Sequence, residues 1–212
     1  MKITKIKKQK NHRKYNIFVD GKYIFSISSN TLTKFDLSEG QEFDSKDFSE
    51  LVKNIALFEC ESALINFLQY RMRSEMEIIS KLKTKGCKPE IISELINKYK
   101  NLGYVNDTVF VESYLLDLIS HHPQSKYSII NKLITKGINQ ELINEVIDKH
   151  LTYEKEKEIA ERSLNSQRYR FEKLSPAERK NKALAFLQRK GFSSKIAFEV
   201  IRDFPPPSGS GP

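Results

Sequence analysis

The densest run of side chains suited to a polyanion is Arg168-Tyr169-Arg170-Phe171, in which two guanidiniums alternate with two aromatic rings. Guanidiniums pair with phosphate oxygens and rings stack on bases; the alternative fate of such rings is a hydrophobic core. The run lies in a basic stretch, residues 162–195, with ten basic and two acidic side chains and a net of +8. Residues 1–14 hold seven basic side chains (Lys2, Lys5, Lys7, Lys8, Lys10, Arg13, Lys14) and no acidic one. Between the two blocks, residues 36–62 hold eight acidic and two basic side chains, a net of −6. The chain as a whole carries +9. Charge segregated in this way gives a field with direction, which steers a nucleic acid; a merely solubilising surface is the alternative.

Catalytic chemistry is harder to assemble. The acidic stretch lacks a compact carboxylate cluster with a lysine partner, and Glu59 and Glu61 diverge on a helix, so no nuclease metal site is expected. His121 and His122 are adjacent, point about 100° apart on a helix, and precede Pro123; they read as an exposed helix end. No phosphate-cradling glycine loop occurs. Cys60 and Cys87 stand 27 positions apart without a metal-ligand neighbour and are expected as free, small apolar packing residues. No nucleophile, base and orienter come together, so the expectation is a non-enzyme with neither metal nor cofactor.

The elements that position the basic residues fall into two kinds. In residues 1–46, Asn16–Val19 and Lys22–Ile27 flank Asp20-Gly21, a hairpin signal, and Thr31 to Phe35 reads as a further strand of a three- or four-stranded sheet. From Asp47 the apolar period becomes helical, with Phe48, Leu51, Val52, Ile55 and Phe58 opening one stripe. No run approaches the ~20 apolar residues of a membrane span, and the first residues lack the apolar core of a secretory signal, so a cytoplasmic protein is expected. The tail, residues 205–212, reads as an appended linker.

The helical region repeats itself. Leu82-Lys83-Thr84-Lys85-Gly86-Cys87, Leu133-Ile134-Thr135-Lys136-Gly137-Ile138 and Leu187-Gln188-Arg189-Lys190-Gly191-Phe192 align without gaps, their glycines 51 and 54 residues apart. Each reads as a helix stop: glycine in the left-handed position, leucine against the apolar residue after it, and lysine at the negative end of the helix dipole. Ser74 with Glu77 and Ser175 with Glu178 read as capping boxes, and Asn139 and Ser193 as caps. A period near 50 implies three helices per unit. The expected fold is therefore mainly α: three tandem three-helix modules at 47–105, 106–151 and 152–204 in an elongated array, behind a β-rich extension at 1–46. The stretch from Tyr153 to Arg170 is expected as one long exposed helix.

Leu68-Gln69-Tyr70-Arg71-Met72-Arg73-Ser74, then Gly103-Tyr104-Val105-Asn106-Asp107, then Leu133-Ile134-Thr135-Lys136-Gly137-Ile138 occur in this order. The set resembles the motifs of the RecX family, over roughly residues 60–204, and the β-rich front resembles the extension of some Gram-positive members. The resemblance implies a monomeric regulator that lies along RecA–DNA filaments, touches single-stranded DNA (secondarily duplex), and restrains strand exchange, ATP turnover and co-protease activity in the SOS response. It implies no small-molecule substrate and no membrane. Module two departs from the family at Ser125-Lys126-Tyr127 and Leu116-Asp117, where relatives carry Lys-Gly and arginine.

On this reading the candidate filament and DNA contacts are Arg168, Arg170, Arg179, Lys180, Lys182, Arg189 and Lys190, with Arg71 and Arg73 in the first module. Lys81, Lys85, Lys136 and Tyr169 rank below them. Gly103, Tyr104, Val105, Asn106 and Asp107 are expected to shape the junction between modules, with Tyr104 and Val105 buried and Asp107 capping the next helix. Gly86, Gly137 and Gly191 stop helices. The competing functional class is a DNA-binding module that reads the phosphate backbone without a RecA partner; a protein-interaction scaffold is the third.

Overall fold

Asp20 and Gly21 both take positive φ, 49° and 79°, which is what a two-residue turn between twisted strands demands. The turn joins β2 (Lys14–Val19) to β3 (Lys22–Ser28). The third strand is β1 (Ile3–Lys8), giving an antiparallel sheet of order β1-β2-β3. The computed structural model describes residues 1–10, 14–172, 174–202 and 204; Arg13 and the tail after 204 lie outside them.

The stretch expected as a further strand is instead the short helix α1 (Ser29–Lys34). Ser28 caps it, accepting from the Thr31 N–H, and the buried Thr31 hydroxyl donates to Glu59 on α2 (Ser45–Leu68). Those polar anchors outweigh the β propensity of two threonines. The inner sheet face, with Ile3, Ile17, Val19 and Ile27, packs on Phe48 and Ile55 of α2.

The helices are α3 (Glu75–Thr84), α4 (Pro89–Asn101), α5 (Asp107–His121), α6 (Lys126–Thr135), α7 (Gln140–His150), α8 (Tyr153–Asn165), α9 (Pro176–Arg189) and α10 (Ser194–Arg202). Each repeated stop is a Schellman motif. The N–H groups of Cys87, Ile138 and Phe192 donate back to the carbonyls of Leu82, Leu133 and Leu187 at 3.1, 3.2 and 3.1 Å. The intervening glycines have φ between 77° and 83°. Ser175 and Glu178 form the expected capping box, while Asn139 and Ser193 accept first-turn N–H groups.

Four further expectations are corrected. The stretch from Tyr153 is not one exposed helix: α8 buries Ile159, Ala160 and Leu164, ends at Asn165, and gives way to a 3-10 turn at Arg168–Arg170. Val105 is buried but Tyr104 is exposed, and Asn106 rather than Asp107 caps α5, since its side chain reaches the Val109 N–H. Cys60 and Cys87 are buried as expected but disulfide-bonded, because the stop after α3 returns the chain to α2 with their Cα atoms 6.0 Å apart.

The chain divides into two units. The first comprises residues 1–73 and 77–105, the second residues 74–76 and 106–212. In the first, Leu64, Ile78, Leu82 and Leu95 centre the helical core. In the second, α5 to α10 share one core through Leu115, Leu133, Ile147, Leu164 and Leu187.

Candidate nucleic-acid interface

Within the second unit a repeated joint sets α6 against α9. Ser125, the buried N-cap of α6, accepts from the Ser128 N–H and donates its hydroxyl to the Lys190 carbonyl at 2.8 Å. The α6 first-turn N–H, on Lys126, donates to Glu156 of α8 at 2.9 Å. Residues 74–76 repeat the pattern: the Ser74 hydroxyl donates to the Lys136 carbonyl at 2.7 Å, and the Glu75 N–H donates to Asp107 at 2.9 Å. A helix stop thus serves twice, ending its own helix and presenting a carbonyl to the preceding module's serine. A Cβ on Gly191 would stand 2.7 Å from the Ser125 hydroxyl, so close approach adds to positive φ in excluding a side chain there.

Beside this joint lies a groove. Its larger part encloses about 580 Å³ and is lined by Arg170 from the 3-10 turn, Arg189 from the end of α9, Lys190 from its C-cap, and Lys132 from α6, with His121 and His122 at its α5 edge. A second part of about 360 Å³ continues past Lys132, Arg189 and Lys190 to Tyr127 and Gln188. No carboxylate is among the described residues lining either part. Four cations gathered without a counter-charge repel one another. The arrangement suits a polyanion whose phosphates supply the missing negative charge. Exposed tyrosines stand near both ends: Tyr169 next to Arg170, and Tyr127 in the far wall. The Arg170 Nε donates to the Tyr169 hydroxyl at 3.2 Å, while Phe171 is buried against Phe186 and Phe204.

The expected contacts therefore divide. Arg170, Arg189 and Lys190 converge on the groove, and Arg168 belongs to the same 3-10 turn as Arg170. Lys180 and Lys182 are exposed on α9 but do not line it, and Lys182 sits beside Glu178. The Ser175 hydroxyl and N–H, donating to the Glu178 carboxylate, hold it below the usual range, with Lys182 adding to the effect. Arg179 is half-buried, and its guanidinium donates to the Leu174 carbonyl.

In the first unit, Arg71 forms a two-bonded ion pair with Glu77 at 2.9 and 3.0 Å and also donates to the Met72 carbonyl. Arg73 lies over the Phe67 ring at 4.0 Å and donates to the Phe67 carbonyl; burial, then neighbouring Arg71, lowers its pKa. Both arginines brace the turn between α2 and α3. Lys81 packs over Phe67 and, with Lys85, borders a cleft that also contains Glu59. Lys136 packs over Tyr114 and Phe110.

Lys132 was not among the expected contacts. The repeat alignment carries the signal, since Lys132 occupies the position of Lys81, one residue before the repeated leucine.

Five of the eight acidic side chains of residues 36–62 find partners within the chain. Glu39 accepts from the Ile6 N–H, Glu42 pairs with Lys2, Asp44 caps α2, and Glu59 accepts from the Ser28 N–H. Glu61 binds Lys98 and the Tyr99 hydroxyl; the Lys98 contact holds its pKa low, while burial and then Glu61 push Tyr99 up to about 12.

The fold and site define a class of β-fronted proteins built of three-helix modules, with a basic groove whose described lining holds no carboxylate. Comparison makes the class specific. Residues 1–44 match the RecX N-terminal domain, 60–98 the first three-helix domain of RecX, and 156–201 the third. The chain is 34% identical to the regulatory protein RecX of Bacillus subtilis over 200 residues, spanning 94% of this chain and 74% of that protein. It is 33% identical to that of Listeria monocytogenes over 198 residues, 93% and 73% of the two chains. A crystal structure of regulatory protein RecX superposes with TM-score 0.66 at 29% identity, covering 96% of this chain and 99% of that one. RecX from Lactobacillus salivarius gives 0.63 at 26%, covering 70% and 96%. The chain belongs to the RecX family of regulatory proteins. Among the described residues, no helix is long and apolar enough to cross a membrane.

Proposed function

We propose that this chain binds RecA–DNA filaments and restrains them, lowering strand exchange, ATP turnover and co-protease activity without catalysis of its own. Membership of a regulatory family supplies the class of activity. The observation that carries the molecular reading is the groove in which Lys132, Arg170, Arg189 and Lys190 meet with no carboxylate in the described lining. Single-stranded DNA within such a filament offers a row of phosphates that these four cations would neutralise, and Arg168 and Tyr169 extend the contact at one end. Lys180 and Lys182 add long-range attraction rather than a seat. The protein works as a cytoplasmic monomer, since its target is cytoplasmic and the groove is complete in one chain.

The test is a titration into RecA assembled on single-stranded DNA, following ATP turnover. Turnover falls with the native chain and falls far less with Arg170→Glu, Arg189→Glu and Lys190→Glu combined. Unchanged turnover at saturating native protein, with DNA binding intact, would leave a backbone-reading DNA binder without a RecA partner.

A further inference from the structure

The sheet of the first unit has a second face that the core does not use. Pairing across the strands sets Lys5 opposite Phe18 and Phe18 opposite Tyr23; the next row is Lys7, Asn16 and Ser26. Lys7, Asn16 and Ser26 alternate with Ile6, Ile17 and Ile27, and a register shift between Ile17 and Phe18 leaves Ile24 unpaired and brings Tyr23 to the outward face beside Phe18. Tyr23 is 56% exposed, Ile24 beside it 42%, and Lys5 and Lys7 are both exposed. Neither Phe18 nor Tyr23 belongs to the core that the inner face forms with α2.

The exposed ring is nonetheless held in place. Phe18 meets Tyr23 edge-on with ring centroids 6.0 Å apart. The Tyr23 hydroxyl lies 3.0 Å from the Ser26 hydroxyl, which donates to the Asn16 side-chain carbonyl at 2.7 Å. Gln9 donates to that same Asn16 oxygen and to Ser26 at 2.7 and 3.2 Å. A ring tethered at its hydroxyl and buttressed at its edge loses little freedom when a planar group settles on it. Its charged neighbours are lysines. Asp20, at the turn, is taken up by the Lys2 N–H, and Glu42 by the Lys2 ammonium.

We infer that this outward sheet face is a second binding site, for single-stranded nucleic acid, with a base stacked on Tyr23 and the flanking phosphates on Lys5 and Lys7. Rings supply a surface that any base can use, and lysines follow the backbone. A protein partner would instead be expected to need an apolar area without the lysine row. The site goes beyond the groove reading and uses none of its residues.

The test exploits a chain that contains no tryptophan. In the full chain, Tyr23→Trp places a single reporter on the platform. Its emission falls on adding oligothymidylate of about 12 nucleotides, a length within the usual site size. It does not fall with an abasic phosphodiester of equal length. With Arg170→Glu, Arg189→Glu and Lys190→Glu in place to disable the groove, Tyr23→Ala weakens oligothymidylate binding about 5- to 100-fold, as expected for one stacked base. Tyr23→Phe retains it, and Lys5→Glu with Lys7→Glu weakens both oligomers. Far-UV circular dichroism checks that each variant folds. Emission unchanged while anisotropy of labelled oligothymidylate reports binding would overturn the site and leave the groove standing. Equal quenching by the abasic chain would overturn it as well. Quenching that persists in the Arg170→Glu, Arg189→Glu, Lys190→Glu background supports the platform whatever becomes of the groove, and quenching abolished there counts against it.

Discussion

The Ser125 hydroxyl donates to the Lys190 carbonyl at 2.8 Å, across the joint between α6 and α9. The same hydroxyl oxygen accepts the Ser128 N–H, so one buried atom both caps a helix and binds the next module's helix stop. Lys190 then presents its carbonyl to the joint, while its side chain lines the groove with the ammonium 5.9 Å from the centre of the Phe186 ring. On the proposed reading, recognition and the packing between modules meet in a single residue.

Ser125→Ala removes both bonds and leaves the Lys190 carbonyl without its donor. The expected loss is about 1–3 kcal/mol, read from urea unfolding, with weaker single-strand binding because α6 and α9 lose their register.

The three helix-stop glycines should rank. Each has positive φ, so alanine at any of them costs about 1 kcal/mol. At Gly191 the new Cβ also meets Ser125, and at Gly137 it meets Met76, whereas at Gly86 nothing lies within 4 Å. Gly137→Ala and Gly191→Ala are expected to lower the unfolding midpoint clearly more than Gly86→Ala.

Much of this architecture is legible in the sequence because local chemistry decides it. The Leu-Lys-Gly-apolar stop needs only a left-handed residue and a hydrophobic contact, and the Ser175–Glu178 box needs only adjacent turns. Thr31–Phe35 misleads because its fate is set by Glu59, 28 residues from Thr31. Tyr104 misleads because its ring settles beside Tyr99 at the surface, 6.0 Å between centroids, while Val105 is buried. The disulfide is invisible to a spacing rule, since it depends on how the stop after α3 turns back to α2. Arginine is equally ambiguous by type: Arg71 and Arg189 look alike in a sequence, yet one is spent on Glu77 and the other faces the groove.

That contrast gives a charge-scan prediction. Lys132→Gln, Arg189→Gln and Lys190→Gln should each weaken single-strand binding and shrink the slope of log affinity against log salt by about 0.7. Arg71→Gln should leave the slope unchanged and cost under about 1 kcal/mol of stability, as a half-exposed pair does. Fluorescence anisotropy across a salt series separates the two classes.

The bond between Cys60 and Cys87 closes a loop with a sequence separation of 27. Thiol titration of the denatured chain should find no free thiol before reduction and two after it. Cys60→Ala with Cys87→Ala should lower stability by about 3 kcal/mol.

Acid and alkali should each release one end of the Glu61–Tyr99 contact. The folded pKa of Glu61 lies below its unfolded value of about 4.3, so its contribution is present above that pH and is lost as pH falls through the folded value. Tyr99 is raised from about 10 to about 12, so its contribution is complete below pH 10 and is lost as pH rises through 12. Glu61→Gln should flatten the acid limb of stability against pH, and Tyr99→Phe the alkaline limb, in denaturant unfolding at each pH.

The most direct test of the central claim is site-specific photocrosslinking in a RecA filament on single-stranded DNA. A photoreactive side chain at Gln188, exposed and in the groove wall, is compared with one at Leu116, exposed on α5 and absent from the groove lining. The groove account predicts crosslinks to the DNA or the adjoining RecA from position 188 and few from 116. Equal yields from both, or crosslinks from 116 alone, would contradict it.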